Sequence, residues 1–291
     1  MNLKMPYGIS NYEKIVNDGY YYVDKTKYIE KLENLPETSI MFLRPRKFGK
    51  TLFTSVLENY YDKRKSDKFE SLYKNTYIGK NPTKLKNSYC ILRFNFSGID
   101  TSTEEETIRC FKNSTIESIK LFIGKYNIDF YINENQEAEE ILNSLFTAFS
   151  LQKNDEKIYV IVDEYDHFAN ELLGFYPERF RTLVSKNGKV RKWYEILKKG
   201  TETVIDRIFI TGVAPITLDS LTSGFNIGKD ITQDVRFNDM MGFTKEELVE
   251  ILNSQEIPID KQEKILPIMK ENYDGYKFSL NAENQIYNSN M

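Results

Sequence analysis

Only two cysteines, Cys90 and Cys110, occur among 291 residues, with neither the spacing nor the neighbours of a disulfide framework or a thiolate metal site. Both read as reduced and structural. Histidine is scarcer still: His167 stands alone, so a Ser–His–Asp or Cys–His nucleophile has no positioned partner, and a capping or packing role suits it better. No apolar run approaches the ~20 residues that cross a bilayer, and the polar N-terminus carries no secretory signal, so a cytoplasmic protein without membrane contact is expected. A net charge of −3 gives no global attraction to nucleic acid or anionic lipid. Internal repeats and low-complexity tracts are absent.

What is present suits a soluble globular chain: 40% hydrophobic and 29% charged residues, enough for one large α/β domain with an appendage or for two small domains. The 20 tyrosines and 19 phenylalanines read as core packing and amphipathic surface. Residues 1–36, with the aromatic stretch Tyr20 to Thr26, read as an N-terminal extension packed on the core. Apolar strands are expected at Ser39–Leu43, Ser88–Phe96, Ile158–Val162 and Asp206–Gly212, with a last short strand at Asp234–Phe237. Helical spacing follows Leu52, runs from a Thr103/Glu106 capping box to Tyr126, and recurs from Ala138 to Phe149, Tyr165 to Leu173 and Val190 to Lys199. Pro177 to Lys189 reads as loop. A second capping box, Thr244 with Glu247, opens a further helix, and another is expected near Lys261 to Lys270. This alternation predicts a parallel sheet with helices on both faces.

Two segments carry chemistry. Arg44-Pro45-Arg46-Lys47-Phe48-Gly49-Lys50-Thr51 lies between the first strand and a helix, where a phosphate-binding loop belongs, although Arg44 replaces its first glycine. Gly49 lets backbone approach phosphate, Lys50 supplies a charge for terminal phosphates, and Thr51 offers a hydroxyl to Mg²⁺. Arg44 and Arg46 have fixed donors that suit bidentate contact with phosphate oxygens. Arg44 has a second reading, as a plug paired with Asp163, Glu164 or Asp166. Phe48 is expected to anchor the loop from beneath. The other segment, Ile158 to Glu164, is a buried strand ending in two acids. Asp163 would hold the metal with Thr51, and Glu164 would polarise a water for attack on a γ-phosphorus. The bland alternative is an acid that caps the next helix. Thr211, closing another strand before Gly212, is the candidate γ-phosphate sensor, beside the simpler reading of a turn. No Asn-Lys-x-Asp segment for guanine is present, which leaves ATP as the expected nucleotide. Arg191, Lys192, Lys198 and Lys199 form a basic patch interrupted by Glu195 and read as a solvated helix face. Arg179, Arg181, Arg207 and Arg236 are possible arginine fingers whose default is a surface ion pair.

The arginine-rich loop, Tyr22-Val23-Asp24-Lys25-Thr26, Val162-Asp163-Glu164-Tyr165-Asp166 and Ile210-Thr211-Gly212-Val213-Ala214-Pro215 together resemble the AAA-ATPase-like family of P-loop proteins. Ser223-Gly224-Phe225-Asn226, Met241-Gly242-Phe243-Thr244 and Tyr273-Asp274-Gly275-Tyr276 extend the likeness over nearly the whole chain. The resemblance implies a three-layer α/β P-loop fold with a mainly parallel sheet of order 5-1-4-3-2, a core over residues 37–242, and a helical lid over 243–291. It also implies ATP and Mg²⁺ as cofactors. Many relatives carry a following PD-(D/E)XK nuclease-like domain. This sequence stops soon after the Tyr-Asp-Gly-Tyr segment, so no nuclease activity is expected, and such a domain or nucleic acid stands as a candidate partner. Two functions are compatible with these residues: a Mg²⁺-dependent ATPase, or a non-hydrolysing nucleotide switch or degenerate P-loop scaffold.

Overall fold

The computed structural model describes residues 4–153, 155–184, 188–215, 227–273 and 275–289. Its framework is a five-stranded sheet: β1 (Ser39–Leu43), β2 (Tyr89–Asn95), β3 (Lys157–Asp163), β4 (Ile205–Gly212) and β5 (Lys229–Asp230). The order is β2-β3-β4-β1-β5, which is 5-1-4-3-2 read from the opposite edge, and the paired strands are parallel. Parallel strands joined by helical crossovers bury both faces, which is why these segments read as unbroken apolar runs and not as alternating ones.

Alternation along each strand sorts its side chains between two cores. On one face Leu92, Phe94, Val160, Val162, Ile208 and Ile210 meet Phe111, Ile119, Leu145, Trp193 and Leu197 from helices Glu104–Tyr126, Ala138–Gln152 and Lys189–Gly200. On the other, Ile40, Phe42, Ile91, Ile161 and Phe209 meet helix Lys50–Tyr61. Tyr12, Tyr28, Ile29 and Leu32 from the N-terminal helices join this second cluster, as do Met240, Met241 and Ile286 from the C-terminal part. By the same parity Arg93 and Asp163 project on the side of helix Lys50–Tyr61.

Three local readings are corrected. Asp234 to Phe237 is no strand: the Asp234 carboxylate accepts from the Arg236 amide, so the side chain competes for the backbone and Val235–Phe237 becomes a 3-10 turn. The fifth strand is instead Lys229–Asp230, held to Ile40 and Met41. Pro177–Val184 is a helix opening on proline, whose missing amide costs nothing in a first turn. At helix Glu104–Tyr126 the Thr103 hydroxyl caps Glu106, but Glu106 turns to Arg109 and leaves the box half made. The Thr244/Glu247 box is complete, and Glu247 also receives Lys25 at 2.6 Å, tying the N-terminal segment to helix Lys245–Ser254. Ser223 to Asn226 and Asp274 lie outside the described residues. Among the described residues no helix is long and apolar enough to cross a membrane.

Buried phenols make the fold sensitive to alkali. Burial raises the pKa of Tyr12, Tyr61, Tyr73, Tyr126 and Tyr159 above the ordinary value. In the unfolded chain these groups ionise near pH ~10. Their contribution is therefore complete below that pH and is lost above it, where the unfolded chain releases protons that the folded chain retains. The urea midpoint should fall as pH rises above about 10, and the phenolate absorbance of the buried set should appear together with loss of the far-UV signal. Complete tyrosine ionisation with the fold intact would contradict this.

Candidate functional site

β1 delivers the chain into a loop that needs two left-handed residues before it enters helix Lys50–Tyr61. Gly49 takes one, at φ 84°, where glycine has no steric penalty. Lys47 takes the other at φ 66°, a conformation uncommon for a residue with a Cβ. Phe53 is the first residue whose amide reaches back into the helix, to the Gly49 carbonyl at 2.9 Å. The amides of the preceding turn have no intrahelical acceptor, and with the dipole they make this end a place for an anion.

Arg46, Phe48, Gly49, Lys50, Thr51 and Glu164 line one cavity of about 630 Å³ at the C-terminal edge of the sheet. Lys50 is 7% exposed and donates from Nζ to the Arg44 and Pro45 carbonyls at 2.9 and 3.0 Å. Burial lowers its pKa, opposed by the field of Asp166, Asp163 and Glu164, so the lysine tip and the acidic turn share one electrostatic environment. Phe48 is buried beneath the loop, with ring centroids 4.9 and 5.4 Å from Tyr276 and Phe278.

The acidic pair divides between two situations. Asp163 is fully buried; its Oδ2 receives Arg93 at 3.1 Å and the Thr54 hydroxyl at 3.4 Å, while Oδ1 has no protein partner. An orphaned carboxylate oxygen behind the loop suits a cation or its bound water. Among the described residues no group of three His, Cys, Asp or Glu side chains could hold a metal. Asp163 and the Thr51 hydroxyl are the residues that would hold a Mg²⁺ ion brought in with a phosphate ligand. Glu164 leaves the strand at φ 52°, a strained turn that aims the residue after β3 at the cavity.

Two expected ligands are placed elsewhere. Arg44 is 1% exposed and donates to the carbonyls of Leu43, Thr232, Phe237 and Asn238 at 2.8 to 3.3 Å. Its guanidinium lies 4.0 Å from the Phe42 ring and 3.9 Å from that of Phe278. Burial lowers its pKa to about 9, which leaves it charged at neutral pH. It is neither a phosphate clamp nor a plug on the acids, because both terminal nitrogens are committed to backbone carbonyls and the group is buried. Thr211 is also corrected: its hydroxyl donates to the Phe42 carbonyl at 2.8 Å inside the sheet and has no proton left for a phosphate.

Asp166, considered as a partner for Arg44, accepts the Val213 and Ala214 amides at 2.9 and 2.7 Å. This locks the acidic turn to the end of β4, and a Cβ on Gly212 would lie 2.2 Å from Asp166 Oδ1. His167 donates its amide to the Glu164 carbonyl and opens helix His167–Phe175. The candidate fingers are engaged at home: Arg179 with the Thr101 and Ser102 carbonyls, Arg181 with Glu178, Arg207 beside Asp206, and Arg236 with Asp234.

Sequence reasoning missed Arg93 and Thr54 as holders of Asp163, and it missed the walls of the cavity. Ile9, Tyr21 and Tyr22 of the N-terminal segment face this space with Leu248, Ile251 and Leu252 of helix Lys245–Ser254. The polar residues on one parity of β2 were the available signal for Arg93. Restoring the usual glycine tests the revised role of Arg44. Arg44→Gly should lower the unfolding free energy by about 3 kcal/mol or more in urea, since four carbonyls each lose a charged donor and two aromatic rings lose their packing partner, and Arg44→Lys should not recover it. A phosphate ligand would show wild-type stability after the same change.

A family model described as a predicted AAA-ATPase matches residues 6–222, which include the loop, the acidic turn and the end of β4. The chain is also similar, at 27% identity over 289 residues, to an uncharacterized protein in the vnfD 5′ region of Azotobacter chroococcum mcd 1. The match covers 98% of this chain and 50% of that relative, so the chain spans half of the relative's length. With four strands of the sheet and the loop inside the matched span, the chain belongs to the predicted AAA-ATPase family.

Proposed function

We propose that the chain binds Mg·ATP at the Arg44–Thr51 loop and hydrolyses it. One observation carries the reading: Lys50 and Thr51 at a helix N-terminus and Glu164, far apart in sequence, line one cavity large enough for a nucleotide, next to the strand end that carries Asp163. Lys50 would exchange the Arg44 and Pro45 carbonyls for β- and γ-phosphate oxygens. Arg46 adds positive charge at the rim. Thr51 and the orphaned Asp163 oxygen would hold Mg²⁺, which when bound neutralises phosphate charge in the transition state. Glu164 would orient and deprotonate the attacking water. The aromatic and aliphatic walls from Tyr21, Tyr22, Leu248 and Ile251 suit an adenine ring, with helices Lys245–Ser254 and Ile259–Tyr273 acting as the lid.

A second reading, a nucleotide-gated switch with little intrinsic turnover, is favoured by the arginines. Arg179 holds the Thr101 and Ser102 carbonyls, Arg181 and Arg236 pair with Glu178 and Asp234, Arg207 lies beside Asp206, and Thr211 is committed to the sheet. Transition-state charge would then be met by a partner, for which a nuclease-like domain or a nucleic-acid complex is the candidate that the family resemblance offers.

Calorimetry with Mg·ATP alongside phosphate release separates the readings. Lys50→Ala should weaken binding by about 100-fold, the worth of a buried charge-assisted contact. Glu164→Gln should bind like wild type but release phosphate about 10²- to 10⁴-fold more slowly. Equal release by Glu164→Gln would remove the assigned base, and tight binding without release by wild type would establish the switch.

A further inference from the structure

The phosphate loop is gripped from outside by Gly242 and by a segment that follows helix Ile259–Tyr273. Three successive loop carbonyls are held: the Arg46 carbonyl by Asn288 Nδ2 at 3.4 Å, the Lys47 carbonyl by the Ser289 amide at 3.1 Å and by its hydroxyl, and the Phe48 carbonyl by the Gly242 amide at 3.1 Å. Carbonyls drawn outward turn the peptide units so that their amides face inward, the orientation an anion needs. Beneath the loop, Phe278 packs against both the Phe48 ring and the Arg44 guanidinium. Gly242, at φ 78°, is wedged here: a Cβ would lie 2.5 Å from Ile286 and 2.8 Å from Phe48. The segment is itself anchored, by the Phe278 amide on Asn238 Oδ1 at 3.2 Å and by the Phe243–Tyr287 bridge beside helix Lys245–Ser254.

We infer that residues 276–289 form a latch that holds the phosphate loop in its anion-binding shape and couples the lid to it. The inference deepens the nucleotide reading and rests on it. A loop with a single glycine must keep Lys47 left-handed against its Cβ, and the grip on the Lys47 carbonyl supplies the restraint that a second glycine would make unnecessary. Because the latch pairs with the residue that opens the lid, displacement of the lid would release the loop, and an ordered loop would favour the closed lid.

Trypsin reads the loop directly, since Arg46 and Lys47 are cleavable and exposed, and it does so without nucleotide. Two variants are compared with wild type. Ser289→Pro removes both contacts of residue 289 to the Lys47 carbonyl without touching the core, and Phe278→Ala removes the aromatic support. Each should keep the far-UV spectrum, be cut after Arg46 or Lys47 about tenfold faster, and bind Mg·ATP about tenfold more weakly, as expected for one or two lost contacts. Wild-type cleavage by a folded Ser289→Pro would overturn the latch, which keeps the test valid if Phe278→Ala fails to fold. Faster cleavage with unchanged ATP affinity would overturn the coupling to the site. Failure of wild type to bind Mg·ATP would overturn the nucleotide reading and that coupling with it, while cleavage would still show whether the latch orders the loop.

Discussion

The organisation of this protein turns on one cation held away from water. The Arg44 guanidinium sits between Phe42 and Phe278 and donates to carbonyls from three separate stretches of chain. A desolvated cation between aromatic faces is worth about 2 kcal/mol or more, and its charge-assisted hydrogen bonds to the carbonyls add to that. β1, the turn after β5 and the C-terminal segment all converge on it. The residue that departs most from the usual loop pattern is thus a structural centre beside the site.

Much of the site was legible because local chemistry dictates it. A β-branched run ending in acids has to be a doubly covered strand, and its end has to face the ligand edge; β3, Asp163 and Glu164 are placed accordingly. Gly49 and Lys50 are fixed by the strand-to-helix turn itself. Arg44 and Thr211 were misread for the opposite reason. Their partners, Thr232 to Asn238 and Phe42, are remote in sequence, and nothing near either residue signals that its donors are occupied. The walls of the cavity were hidden in the same way, since residues from both ends of the chain meet there only after the sheet has formed. The 3-10 turn at Val235–Phe237 was missed because one capping carboxylate outweighs a weak strand pattern.

Charge is distributed by task across the acidic turn. Asp163 is fixed by Arg93, which also reaches Glu58 at 3.1 Å and so ties this buried carboxylate to the helix that carries Lys50. Asp166 is held by backbone amides and braces the turn against β4. Glu164, between them, keeps the least constrained carboxylate and the most strained backbone. This division explains how three acids within four residues coexist: two have dedicated donors, and the third faces the cavity.

The contact between Gly212 and Asp166 leaves no slack at the sheet's C-terminal edge. With room for not even a methyl group between them, the acidic turn and the end of β4 behave as one solid piece. Position 212 therefore tolerates no side chain unless the acidic turn shifts away from β4.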